Sequence, residues 1–327
     1  MRCRNVNSDP KWSAEHRGST ISLTPIAELE LKDLHEFEDW LDERGLFDAD
    51  VLYRGQADSC WSLESTLYRH QCAQFGPRSP SCAVRIGSYA GAAEKLQAIV
   101  ETHTDRRFDD IAASPDLFTS HNGLTFQYAV YLRHHGFPSP LLDWSLSPYV
   151  AAYFAFQDAT RGSEAETVQN DIRPRVAIYV MRPPSSPYTG DVVAPTAVLP
   201  GSNDGIHWWP SAVKGENRHY DQQSAYTTVV RTIRYDASDP GVGCYHSHEY
   251  ILRNAPQRLA RGTEVLPYGT AIDRAICWKV SLPRHDRDAV LRRLDQMNIN
   301  DYTLLRTEDA LVRTYGSRQL RRTLQSP

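Results

Sequence analysis

Asp143, Trp144 and Ser145 are placed for chemistry: they close a short apolar run, Leu141-Leu142, and lead into Ser147-Pro148. Ser147 suits a helix N-cap, because its hydroxyl can accept from an amide of the first turn. Pro148 suits the first helical position, where its missing N–H is no loss. Val150, Ala151, Phe154 and Ala155 then recur at helical spacing. The three residues therefore sit on a strand-to-helix corner, where polar groups can face a cleft. Val51-Leu52-Tyr53-Arg54-Gly55-Gln56 reads as a second short buried strand, ending in Arg-Gly. A third polar stretch runs from Arg218 to Thr227 and carries Gln222 and Gln223. Each feature also has a structural reading. The corner can be a well-capped buried helix with Trp144 in the core. Arg54 can pair with Asp143 in a buried ion pair that fixes the fold. Gln222 can satisfy backbone groups.

The elements that must position these residues follow from periodicity. Residues 31–41 place Leu34, Phe37, Trp40 and Leu41 on one helical face, and 83–112 place Ala93, Leu96 and Val100 on another. Residues 118–135 read as a helix ended by Gly136 and Pro138. Strands are expected at 51–54, 175–181, 226–233 and 276–282, and a helix at 288–295. The Pro-, Gly- and Ser-rich stretch 183–209 reads as loop or lid. Strands and helices mix without regular βαβ alternation. The expected fold class is α+β, a mixed, mostly antiparallel sheet with flanking helices. Cys244, His246 and His248 alternate as on one strand face, but no second cluster accompanies them, so no metal site is expected.

Composition narrows the function classes. The 327 residues are 41% hydrophobic and 23% charged, values of a folded domain rather than a disordered chain. A net charge of -4 gives no global basic field, so any nucleic-acid contact must use a local patch. The six cysteines are scattered, with no Cys-x-x-Cys, and read as reduced thiols of a cytoplasmic protein. Arg2 and Arg4 are followed by no apolar run, so no signal peptide is read. No apolar run approaches the ~20 residues of a membrane span, and no membrane partner is expected.

Three segments together resemble the FRG domain family, named for a Phe-Arg-Gly motif. They are Tyr53-Arg54-Gly55, the stretch from Arg133 through the 141–155 corner, and Arg218 to Tyr226. The resemblance spans about 29–316, taken as one domain of 21–316 with a loop-rich insertion near 183–215. A loosely packed N-terminus, 1–20, and a basic tail, 317–327, flank it. The sequence departs from the family's pattern at Arg133 for Gln, Pro140 for Arg, Ser145 for Thr and Ser224 for Gly. Pro140 removes one anion contact. Ser145 keeps the hydroxyl.

The order Arg54, then Ser145 and Ser147 with Ala151 and Phe154, then Gln222, is similar to that of Arg-Ser-Glu type ADP-ribosyltransferases. That resemblance implies an ADP-ribosyltransferase-like fold and NAD as substrate. It implies a toxin or anti-phage effector acting on RNA, DNA or protein, with an antitoxin or other inhibitory protein as partner. Arg grips phosphates through its planar fork of donors. The breaking nicotinamide–ribose bond makes a cation-like sugar, which needs an aromatic cradle and a group that favours positive charge. The cofactor-binding set is then Tyr53, Arg54, Gly55, Asp143, Trp144, Ser145, Ser147 and Tyr153, with Tyr149 beside them. The third catalytic role stays open between Gln222, Glu249 in His248-Glu249-Tyr250-Ile251, and Glu264 in Gly262-Thr263-Glu264. An NAD glycohydrolase and a non-catalytic module binding a nucleotide or a partner protein are the competing expectations. The missing Glu at position 222 favours the last.

Overall fold

The chain folds into α+β structure in which apolar alternation writes the strands and local caps write the helices. The structure, a computed structural model, describes residues 26–47, 51–76, 82–108, 125–159, 174–182, 205–209, 218–233, 242–254 and 277–325. In chain order the elements are β1 (Ile26–Glu30), α1 (Leu34–Glu43), β2 (Leu52–Gln56), α2 (Thr66–Phe75), β3 (Val84–Arg85) and α3 (Ile86–Thr104). Then come α4 (Phe126–His134), β4 (Leu142–Ser145), α5 (Pro148–Gln157), β5 (Arg175–Met181), β6 (Gly205–Trp209), α6 (Arg218–Asp221) and β7 (Ser224–Ile233). The last are β8 (Val242–Tyr245), α7 (His248–Asn254), β9 (Cys277–Pro283), α8 (Arg287–Gln296), α9 (Asp301–Leu305) and α10 (Glu308–Gln325).

The strands form one sheet in the order β1-β9-β5-β2-β4-β7-β8-β3, with β6 paired to β7 off this path. Only β1 and β9 run parallel among these pairs. Both faces of the middle strands are covered. On β5, Val176, Ile178 and Val180 pack toward α1, α5 and α8. Ala177, Tyr179 and Met181 pack on the opposite side with Leu52, Leu63, Trp144 and Trp208. A strand buried on both faces reads as a continuous apolar run, as Val176 to Met181 does. A third cluster joins α2, α3 and α4 through Leu67, Tyr89, Ala93, Tyr128 and Leu132.

The expected corner forms as its residues require. Ser147 caps α5, its Oγ accepting from Val150 N at 3.4 Å, and Pro148 opens the helix. Several expectations change. The last residues of the stretch read as loop, Gly205–Trp209, form strand β6, because Ile206 and Trp208 bury against the sheet and pair with β7. His246 and His248 do not continue a strand. Ser247 accepts from Tyr250 N at 2.9 Å and turns the chain into α7. Residues 317–325, read as a basic tail, continue α10, where Arg318 pairs with Asp295 at 2.6 Å. Cys72, Cys82, Cys244 and Cys277 are free thiols. Cys60 is disulfide-bonded, against the expectation of reduced thiols throughout. The N-terminal segment 1–20 lies outside the described residues.

Candidate functional site

The site arises where the sheet splits. β2 and β4 share a single bridge, Tyr53↔Ser145, whereas β2 pairs with β5 over its whole length and β4 with β7 over its whole length. Past that bridge the backbone groups of β4 need other partners. Arg54 supplies one: its Nη1 donates to the carbonyl oxygen of Asp143 at 2.5 Å. The guanidinium therefore stands in the split. A cavity of about 380 Å³ opens there, within the size range of small-ligand sites.

Tyr53, Arg54 and Gly55 of β2 all border the cavity, and strand alternation sets Arg54 on one face and Tyr53 and Gly55 on the other. Tyr53 is fully buried against α5, its hydroxyl donating to Leu46 O. Gly55 faces the same way and touches α5 itself. A Cβ there would stand 2.0 Å from Ala151 O and 2.5 Å from Ala155 N. The glycine of the Arg-Gly pair is required by this close approach.

The walls are charged. Arg54, Arg69 on α2 and Arg218 on α6 line the cavity with Glu64, Asp143 and Asp158. Asp143 is matched to Arg133, whose Nη2 lies 2.5 Å from Oδ2. This corrects the expected Arg54–Asp143 ion pair: Arg54 holds the backbone of Asp143, and Arg133 holds its carboxylate. Burial works to raise the Asp143 carboxyl, but Arg133 and Arg54 outweigh it and hold it below its usual range. Burial lowers Arg54 to about 10, partly offset by Asp143, so it keeps its charge at neutral pH. Glu64 goes the other way. Burial raises it to about 8, against the hydrogen bond from Ser247, so at neutral pH it is largely protonated. The cavity thus carries more positive than negative charge.

His134 also lines the cavity, and burial drives it down to about 3, so it is neutral. Its Nε2 lies 3.0 Å from Tyr226 Oη, which lies 2.8 Å from His219 Nδ1. A phenol between two imidazoles can donate to one and accept from the other.

Of the residues expected to act, Tyr53, Arg54, Gly55, Asp143, Trp144, Ser145 and Gln222 come together around the cavity. Ser145 and Gln222 have their polar groups committed. Ser145 Oγ donates to Gln222 O at 2.7 Å and accepts from Ser147 N at 3.0 Å. The Gln222 amide donates to Leu304 O at 2.8 Å. Gln222 is also not on a strand. Gln223 adopts a left-handed backbone (φ 47°), which turns the chain from α6 into β7 and leaves Gln222 in the turn. Ser147 caps α5 and does not line the cavity. Tyr153 turns to α9, where its hydroxyl meets Asp301. The expected aromatic cradle therefore differs. Trp144 is 4% exposed, with Nε1 donating to Thr227 Oγ1 at 2.8 Å. Tyr149 stacks on Phe47. Tyr53 and Trp144 remain among the aromatic walls, joined by Trp61, Phe154 and Tyr226 in place of Tyr149 and Tyr153.

Glu249 does not line the cavity. It lies on α7, accepting from Leu63 N at 2.8 Å and Arg253 Nε at 2.9 Å. Glu264 lies outside the described residues. Sequence reasoning passed over Trp61, Glu64, Arg69, His134 and Arg218 as site residues. His134 and Arg218 stand inside the segments that carried the family resemblance, which was the available signal, and Trp61, Glu64 and Arg69 follow the Tyr53-Arg54-Gly55 motif along the chain. Among the described residues no cluster of His, Cys, Asp and Glu is arranged to hold a metal, and no helix is long and apolar enough to cross a membrane.

Residues 49–164 match the family model of the FRG domain, and this segment of the chain is an FRG domain. It contains β2, β4 and α5, and with them Arg54, Gly55, Glu64, Arg69, His134, Asp143 and Ser145. Strands β1 and β5 to β9, which complete the sheet, lie outside the match. No curated protein and no solved structure matches the chain.

Proposed function

We propose that the cavity binds NAD and that the protein transfers its ADP-ribose to an acceptor. The observation that carries this is the meeting of three arginines with buried polar atoms that lack partners. Arg54 Nε, Glu64 Oε2 and Asp143 Oδ1 are all buried with no hydrogen bond. Each such atom costs about 1–3 kcal/mol if nothing polar meets it. A ligand with anionic oxygens and hydroxyls answers that need. Arg54, Arg69 and Arg218 suit a diphosphate, and Trp61 and Phe154 offer flat apolar faces for a ring. In the transfer, an acceptor oxygen or nitrogen bonds to ribose C1′ and gives up its proton to solvent. The C1′–nitrogen bond breaks, and its electron pair stays on the departing nicotinamide. The reading takes the mixed sheet as ADP-ribosyltransferase-like. It places the protein in the cytoplasm as a toxin or defence effector, with RNA, DNA or protein as acceptor and an antitoxin as its restraint. With water as acceptor the same site is an NAD glycohydrolase.

Arg54→Ala tests the binding half. Each lost charged hydrogen bond removes roughly 1.5–3 kcal/mol, so affinity for NAD should fall at least about tenfold. Calorimetry with NAD measures it, and circular dichroism checks that the variant is folded. Unchanged affinity in a folded variant rules out Arg54 as a phosphate contact. The transfer half is tested by mass spectrometry of cell RNA, DNA and protein after expression, seeking added ADP-ribose.

A second reading, a non-catalytic module that binds a nucleotide, draws on one observation. The Ser145 hydroxyl and the Gln222 amide are both committed to backbone groups. NAD binding without consumption selects it.

A further inference from the structure

Glu64 immediately precedes Ser65, the N-cap of α2, and its carboxyl lines the cavity. One oxygen is fixed: Oε1 accepts from Ser247 Oγ at 2.5 Å. The other, Oε2, is buried without a hydrogen bond. Resting on the NAD reading above, we infer that Glu64 is the charge-sensing acid–base group of this cavity, holding its proton in the free protein and releasing it when a bound ligand presents a cation, such as the pyridinium ring of NAD.

The neighbours explain why Glu64 keeps its proton. Glu249, on α7, lies close enough to Glu64 to oppose a second negative charge. Glu249 has the better partners for a charge, a backbone N–H from Leu63 and the guanidinium of Arg253. Glu64 has a neutral hydroxyl from Ser247, the nearby backbone N–H of His248, and Arg69 at a distance that does not offset burial. The His248 ring, buried and facing Arg54, is neutral and supplies no counter-charge. A carboxyl with these surroundings holds its proton, because burial and the neighbouring carboxyl both disfavour its charge. Burial raises Glu64 to about 8, which puts its proton within reach of a single new charge. A ligand cation beside Oε2 favours the carboxylate, and the proton passes to the buffer. A ligand that brings only the diphosphate adds negative charge and gives Glu64 no reason to ionise.

The experiment is calorimetry at pH 7 in two buffers of different ionisation enthalpy, phosphate and Tris. The first probe is carba-NAD, which keeps the pyridinium but cannot be cleaved at that bond. The second is ADP-ribose, which keeps the diphosphate and lacks the cation. Carba-NAD is expected to release close to one proton (~0.9) per site, and ADP-ribose close to none. In Glu64→Gln, whose amide keeps the acceptor for Ser247, carba-NAD should bind with the release lost. Equal proton counts for the two probes in the unaltered protein overturn the inference, whatever the variant does. Release that persists in Glu64→Gln overturns it too. In both cases the NAD reading stands. Failure of the unaltered protein to bind either probe removes the NAD reading and this inference together.

Discussion

Gly55→Ala is expected to cost several kcal/mol of stability, enough to unfold much of the protein or to leave it insoluble. A new Cβ would lie 2.0 Å from Ala151 O and 2.5 Å from Ala155 N, both backbone atoms of α5. Overpacking usually costs about 1–3 kcal/mol, because side chains can move aside. Here no side chain can yield, and either β2 or α5 must shift. β2 is pinned between β5 and β4, and α5 is anchored by Val150, Ala152, Ala155 and Phe156 in the main core. A cost of about 3–5 kcal/mol is a large share of the ~5–15 kcal/mol that holds a domain folded. The check is the urea midpoint of Gly55→Ala beside that of Ala57→Ser, a small change one turn of the strand pattern away. A midpoint for Gly55→Ala equal to that of the unaltered protein would show that α5 is farther from β2 than this packing requires.

That clash explains why the role of Gly55 was harder to read than that of Arg54. The sequence places both at the end of a buried strand, and Arg54 reaches the split in the sheet as its position implied. The approach of α5 to β2 is a tertiary fact that no local pattern carries. The corner at Ser147-Pro148 was legible for the opposite reason: an N-cap and a first-turn proline act within four residues. Only half of the expected aromatic cradle lines the cavity, Tyr53 and Trp144 but not Tyr149 and Tyr153, and alternation and helical phase account for the orientation of each. Tyr53 shares the α5-facing side of β2 with Gly55, and Tyr153 lies on the face of α5 that meets α9. Strand β6 was hidden by the Pro- and Gly-rich residues before it, although Ile206 and Trp208 alternate as a strand should. The most consequential omission was Glu64. Its burial and its partner Ser247, 183 residues along the chain, are set by the fold alone. Glu249 was a candidate for the third catalytic role. The structure commits it to Leu63 and Arg253 instead.

Glu64→Gln is expected to stabilise the protein in mild alkali while weakening any chemistry that uses the carboxyl. The ordinary value for this group is 4.5, and burial raises it to about 8 in the folded chain. A folded-state value above the unfolded one means that folding holds the proton more tightly than the unfolded chain does. The stability that this group contributes is fully present below about pH 4.5, declines as pH rises, and is lost once pH passes about 8. At 1.36 kcal/mol for each tenfold change in proton activity, the loss between pH 5 and pH 8 reaches about 3.5 kcal/mol if the site stays dry. Water entering the cavity would reduce it. Glutamine cannot ionise and fills the same space, so its stability carries no such decline. Urea unfolding of both proteins at pH 5, 6.5 and 8 should therefore give curves that separate as pH rises, with the variant ahead by the largest margin at pH 8. Parallel behaviour across that range would place the Glu64 carboxyl at an ordinary value and in contact with water. It would then be charged in the free protein, and its carboxylate would repel the diphosphate that Arg54, Arg69 and Arg218 are arranged to hold.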